Sequence, residues 1–212
     1  MRAAAVFLGM MGLAGLGCRA GAPSARATAP AGWTRVYAMD FNNVQKVPAE
    51  WVAISGEIRV AGGALELRAE AGSEAEMVLK TVKCPGSVRV EMTASVVGDE
   101  VCDLSPWLNG DESGYASGYL LQFGGGGNQE NRLRRAGEVV DETVNTKTLL
   151  KAGKKYAVVA ENDGGRVRLV VDGQELLALQ DKEPLKGPDH ALIGFYTWGD
   201  TLRIERIAVF SK

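Results

Sequence analysis

Four short segments carry side chains suited to recognising a polyhydroxylated ligand. Over 103–109, Asp103, Ser105, Trp107 and Asn109 alternate with Leu104, Pro106 and Leu108. Over 119–124, Leu120, Gln122 and Gly124 alternate with Tyr119, Leu121 and Phe123. Arg132 and Arg134 flank Leu133, and His190, Leu192, Gly194, Tyr196 and Trp198 alternate with Ile193 and Phe195. Successive side chains of a strand point to opposite faces, so in each segment the more apolar set packs inward and the other faces out. If the segments share a sheet, its outer face collects Asp103, Trp107, Asn109, Gln122, Arg132, Arg134, His190, Tyr196 and Trp198. That mixture suits a saccharide: flat rings stack on sugar C–H faces, while amides, carboxylates and guanidinium groups bond hydroxyls in pairs. Asn128, after glycines 124–127, would stand in a loop at the rim, where backbone approaches a ligand closely. A blander reading stays open. Both tryptophans could pack under loops, the arginines could form a solvated edge, and His190 could bond a turn carbonyl.

Catalysis would ask for more. Ordinary glycoside hydrolysis uses two carboxyls about 5–9.5 Å apart. Asp103 and Glu91 are the candidates, with His190 or Tyr196 as acid–base partner. A β-eliminating lyase is a variant, in which arginine neutralises a uronate and Tyr196 or His190 moves the proton. Gly124–Gly127 lacks the Lys-Ser/Thr of a phosphate loop, and no Gly-x-Ser-x-Gly occurs. One His and three Cys argue against a zinc finger or a His-rich metal centre. Asp40 and Asp200 would offer oxygen ligands to calcium only if the terminal strands bring them together. No other cofactor is implied.

The elements that must position these residues are strands. Apolar residues alternate with polar ones over 65–68, 76–80, 88–97, 156–160, 167–171, 176–179, 191–197 and 202–210. Gly62-Gly63, Gly98-Asp99, Asn109-Gly110, Asp163-Gly164-Gly165, Asp172-Gly173 and Gly199-Asp200 separate them with turn chemistry. No helical stripe of useful length appears. A dozen or so short strands over residues 33–212 predict an all-β, two-sheet antiparallel jelly-roll sandwich. The apolar phase flips between Ile204 and Ile207, which predicts a β-bulge near Glu205-Arg206. If Ser87–Val97 turns back at Gly98-Asp99, Cys102 faces about residue 95, far from Cys84. A Cys84–Cys102 disulfide would need another pairing, and both outcomes stay open.

The first residues read differently. One basic residue, Arg2, precedes an uncharged run from Ala3 to Gly17, too short to span a bilayer, which is the layout of an export signal. The run ends in Cys18 and resembles a bacterial lipobox, although Gly15 stands where that motif usually has Leu. The expected organisation is a signal over 1–17, a lipidated Cys18 with a flexible tether over 18–32, and the sandwich over 33–212. Cleavage without lipid, giving a secreted or periplasmic domain, is the alternative. The membrane would be met only through the lipid. A net charge of −2 argues against nucleic acid as a partner.

Trp51–Gly56, Gly62–Leu67, Gly118–Phe123, Asp172-Gly173, Ile193–Tyr196 and Leu202–Val209 resemble concanavalin A-like jelly-roll domains. The nearest resemblance is to 3-keto-disaccharide hydrolase-like domains of exported bacterial proteins. It implies a glycoside or 3-keto-glycoside hydrolase. The sequence departs from that pattern where Asp103–Asn109 replaces an Asn-Ser-Gly-Ile segment and Leu120 replaces an acid, and the Glu-x-Asp-x-x-Glu strand of related glucanases is missing. The expectation is therefore an exported saccharide-binding domain, with an enzyme on the same face as alternative and a structural envelope protein as a third reading.

Overall fold

The computed structural model describes residues 29–212. The export pattern and Cys18 lie outside the described residues. In chain order the first strands are β1 (Thr34–Asp40), β2 (Trp51–Ser55), β3 (Glu57–Ala61), β4 (Ala64–Arg68) and β5 (Glu74–Leu79). Next come β6 (Val88–Val97), β7 (Ser105–Gly110), β8 (Tyr119–Gly124), β9 (Glu130–Arg135) and β10 (Glu138–Asn145). The last are β11 (Tyr156–Asp163), β12 (Arg166–Val171), β13 (Gln174–Gln180), β14 (Leu192–Trp198) and β15 (Thr201–Ser211). They form two antiparallel sheets, as the alternation predicts. The front sheet runs β10-β9-β8-β7-β14-β5-β2; the back sheet runs β13-β12-β11-β6-β15-β4-β3, with β1 also on β15.

The inward members of both sheets make one core. Leu108, Leu121, Phe123, Leu133, Ile193 and Phe195 of the front sheet meet Val90, Met92, Val158, Leu169, Leu202 and Val209 of the back sheet, all essentially without exposure. Phe123 and Tyr156 pack edge to face across the layers at 5.0 Å. The phase flip in β15 is absorbed where expected, by a register shift between Ile204 and Arg206 against β6. Gly62-Gly63 and Asp172-Gly173 close two-residue hairpins in which both residues have positive φ.

Three expected turns behave otherwise. Gly98-Asp99 does not fold β6 back on itself; the chain crosses there from the back sheet to β7 of the front sheet. Gly199-Asp200 is the return crossing, from β14 to β15. The two corners interlock: a Cβ on Gly98 would lie 1.8 Å from Asp200 Oδ1, so only glycine fits. Asn109-Gly110 is part of β7. Asn109 adopts φ +51 and the register against β14 slips between Leu192 and Gly194. That bulge turns the Asn109 side chain inward, correcting its expected place on the outer face.

The two thiols are both free and buried. Cys84 donates its backbone N–H to Ala191, just before β14, whereas Cys102 Sγ donates to Trp198 O at its far end. A seven-residue strand holds those ends about 20 Å apart, well beyond disulfide reach. Burial pushes the Cys102 thiol up to about 12, with Asp103, Asp200 and Glu100 adding to the effect.

Inside the sandwich, Asn109 Nδ2 donates to Gly86 O and His190 O, and its Oδ1 accepts from Asn162 Nδ2 of β11. Removing a fully paired buried amide strands its partners. Asn109→Ala should cost about 2–3 kcal/mol in urea unfolding; an unchanged midpoint would contradict this role.

Candidate functional site

The four segments are neighbours: β9, β8, β7 and β14 stand side by side in the front sheet. Pairing lines their outward residues up in rows. One row reads Arg134, Leu120, Trp107, Gly194 and Val78. The next carries Arg132 and Gln122 at one end and Ser105, Tyr196 and Glu76 at the other. Asp103 follows beside Gly124, donating its N–H to Gly124 O, and Trp198 lies two residues beyond Tyr196.

These rows enclose a cleft of about 270 Å³ lined by Asp103, Tyr115, Leu120, Gln122, Gly126, Gly127, Arg132, Arg134, Tyr196 and Trp198. One wall is aromatic. Tyr115 and Tyr196 meet edge to face at 5.0 Å, and Trp198 is 37% exposed. The opposite wall is a hydrogen-bonded polar chain. Gln122 Nε2 donates to Asp103 Oδ1 at 2.8 Å, and Gln122 Oε1 accepts from Arg132 Nε at 2.8 Å and Arg134 Nε at 3.0 Å. Ser105 Oγ also donates to Asp103 Oδ1. Arg132 is anchored by Glu130 at 2.7 Å and Arg134 by Gly137 O at 3.0 Å. Burial raises the Asp103 carboxyl above its ordinary value, while Gln122, Ser105 and the two arginines pull it back. Gly126 and Gly127, both at positive φ, form the rim.

One glutamine thus fixes two guanidinium groups and one carboxylate. The wall therefore alternates an acceptor with fork-like donors, a pattern that fits adjacent hydroxyl groups.

Other expected site residues fall elsewhere. Trp107 does face outward, but it is fully buried beneath the 111–118 loop with Val78, Leu120, Leu192 and Tyr196. Its indole covers Gly194 so closely that a Cβ there would lie 2.4 Å from the ring. Trp107 is the floor beside the cleft and does not line it. Asn128 clamps the glycine loop from behind, its amide donating to Leu150 O and accepting from Leu150 N. His190 ends the short 3₁₀ turn Pro188–His190 and lines no part of the cleft. Glu91 lies on β6 of the back sheet, paired with Arg89 at 2.7 Å, so it forms no carboxyl pair with Asp103. The terminal strands do pair, but Asp40 sits opposite Arg206, six residues from Asp200. Strand rise puts the two carboxylates about 20 Å apart, which rules out a shared calcium. Among the described residues no group of three acidic, Cys or His side chains could hold a metal.

Tyr115 and Glu76 carry no clear sequence signal. Tyr115 belongs to the irregular 111–118 loop. Glu76 reads as the polar member of an alternating strand, yet it is only 4% exposed and accepts the Tyr115 N–H.

The architecture defines the chain's class: a concanavalin A-like, all-β jelly-roll sandwich. Neither the family models nor the curated proteins contain a match to this sequence. Solved structures share the fold. The carbohydrate-binding module CBM66 from Bacillus subtilis aligns with a TM-score of 0.61 at 16% identity, over 76% of this chain and 96% of that one. The Emp47p carbohydrate recognition domain gives 0.58 at 13%, over 87% and 99%. The apo Crh5 transglycosylase gives 0.58 at 12%, over 88% and 90%.

The two outward tryptophans should respond oppositely to truncation. Trp107→Ala should cost about 3–5 kcal/mol in chemical unfolding, as for a large buried ring. Trp198→Ala should cost under about 1 kcal/mol. Equal losses would mean that Trp198 is packing and not a presented surface.

Proposed function

We propose that the protein is an exported carbohydrate-binding domain that takes a saccharide in the front-sheet cleft. The observation that carries this reading is the pairing of two walls across one small volume: the Tyr115–Tyr196–Trp198 rings and the Asp103–Gln122–Arg132–Arg134 chain. Rings beside a bonded set of donors and acceptors are what an amphipathic pyranose requires, one face of which is C–H and whose edge is hydroxyl. The cleft is at the small end for a ligand site and suits about one sugar ring. Binding without catalysis is the simpler reading, because Asp103 is the only carboxylate among the cleft-lining residues. The sharing of this fold with a carbohydrate-binding module and a carbohydrate recognition domain supports the same class. The Arg2–Cys18 pattern supports a lipid-anchored envelope location with the sandwich carried on the 18–32 tether.

Affinity gel electrophoresis against a panel of soluble polysaccharides, with glycan-array screening, tests the proposal. At least one glycan should retard the protein, and Trp198→Ala or Arg134→Ala should weaken that binding about tenfold or more. Glu91→Gln, on the opposite sheet, should leave it unchanged. Retention that survives both cleft substitutions would overturn the site. Turnover of disaccharides or uronate polymers by the purified domain would overturn the non-catalytic reading.

A further inference from the structure

The 111–118 loop supplies one ring of the cleft and is a nearly self-contained unit. Asp111 and Gly114 bridge, Asp111 N donates to Ser117 Oγ, Ser117 Oγ donates to Gly114 O, and Asp111 Oδ1 holds Ser113. What docks this unit onto the aromatic side of the front sheet is Glu76 of β5. The carboxylate accepts the Tyr115 N–H, and Gly114, at φ +92, rests directly on it. A Cβ at Gly114 would lie 2.3 Å from Glu76 Oε1, so no side chain intervenes. Other ties are the packing of Tyr115 on the Trp107 cluster, the Tyr115–Tyr196 ring contact, a backbone bond from Ala136 N to Gly118 O, and an exposed Lys80–Glu112 pair at 3.5 Å.

Among the described residues no cation pairs with this buried carboxylate. Glu74 on its own strand adds like charge. β14 presents Tyr196, the loop presents Tyr115, and β2 presents Ser55, whose buried Oγ has no partner among the described residues. Arg134 and Asp103 bear on Tyr115 and Tyr196 across the cleft.

We propose that Glu76 is a proton-operated latch for the cleft: neutral, it lies buried under the loop, accepting the Tyr115 N–H and keeping Tyr115 against Tyr196; ionised, it is a buried charge that this single N–H does not compensate, and drawing water to it loosens that wall. Burial is the main cause of a carboxyl held at about 7, with Glu74 adding and the Tyr115 N–H opposing. The folded state therefore holds this proton more tightly than an unfolded chain does. The seating that Glu76 provides is complete below the ordinary carboxylate range, falls as the pH rises above that range, and is lost once the pH has passed through about 7. Glu76 does not line the cleft, so it acts through Tyr115 as a positioning residue. The effect on ligand rests on the saccharide reading; the latch itself does not.

The test follows the Tyr115 backbone amide by ¹⁵N–¹H NMR from pH 5.5 to 8.5, in the wild type and in Glu76→Gln. The same pH series is run for affinity toward a saccharide that retards the protein in gels. The Tyr115 amide should titrate with a midpoint near 7 in the wild type and stay fixed in Glu76→Gln, which keeps the acceptor but cannot ionise. Affinity should fall about threefold or more over this range in the wild type and show a smaller slope in the variant. Any residual slope belongs to groups other than Glu76, so the difference between the two proteins is the readout. An amide that does not move, or a variant that keeps the full wild-type slope, overturns the latch. An amide that titrates in a protein that binds no saccharide supports the latch and removes the saccharide reading.

Discussion

The placement of the Trp107 indole over Gly194 organises the outer face of the front sheet. A ring of that size fits on the pleated surface only where the neighbouring strand has no side chain, and the Met77 carbonyl under Gly194 leaves no room for one. Once seated, the ring must be covered, because it is large and apolar. The 111–118 loop covers it, which brings Tyr115 to Tyr196 and raises an aromatic wall above the sheet. The Trp107 Nε1 donor finds no acceptor among the described residues, a cost of about 1–3 kcal/mol that the packing must exceed. The cleft is thus the space that this small outer core leaves beside the polar strands β8 and β9.

The polar wall follows a related logic. Arginines two apart on β9 present their guanidinium groups to the same face, and Gln122 on the next strand accepts from both. The amide's other end reaches Asp103, two residues ahead of β7. A chain of charge-assisted bonds across three strands holds these groups in place before any ligand arrives, so little ordering remains to be done on binding. The back sheet carries charges too, but there Glu161 is closed between Arg89 and Arg168 and Glu91 is closed on Arg89. Those pairs satisfy one another and enclose no aromatic wall.

Much of this arrangement was legible in the sequence, because alternation of side chains is a local property. The parity of 119–124, 131–135 and 190–198 places Gln122, both arginines, Tyr196 and Trp198 on one face, and the phase flip in the last strand marks its bulge. Alternation fails where the backbone leaves the extended region. Asn109, at φ +51, reverses its direction; Asn109-Gly110 reads as turn chemistry, but residue types do not tell a bulge inside a strand from a turn that ends it. Sheet membership is also non-local: Glu91 has the right parity on the wrong layer, since Gly98-Asp99 is a crossing and not a hairpin. Burial beneath a loop is equally invisible, which is why Trp107 reads as a ligand ring and proves to be a floor. His190 and Asn128 sit in turns, where parity carries no information at all.

The central claim is that the front-sheet cleft, and no other surface, receives the saccharide. Side-chain NMR of the ¹⁵N-labelled protein during titration with a gel-retained oligosaccharide tests it most directly. The account predicts that the Gln122 amide, the Arg132 and Arg134 Nε–H groups and the Trp198 indole N–H shift together, while the β11 and β12 amides stay still. Shifts centred on Arg89 and Glu91, with Gln122 and Trp198 unmoved, would contradict it.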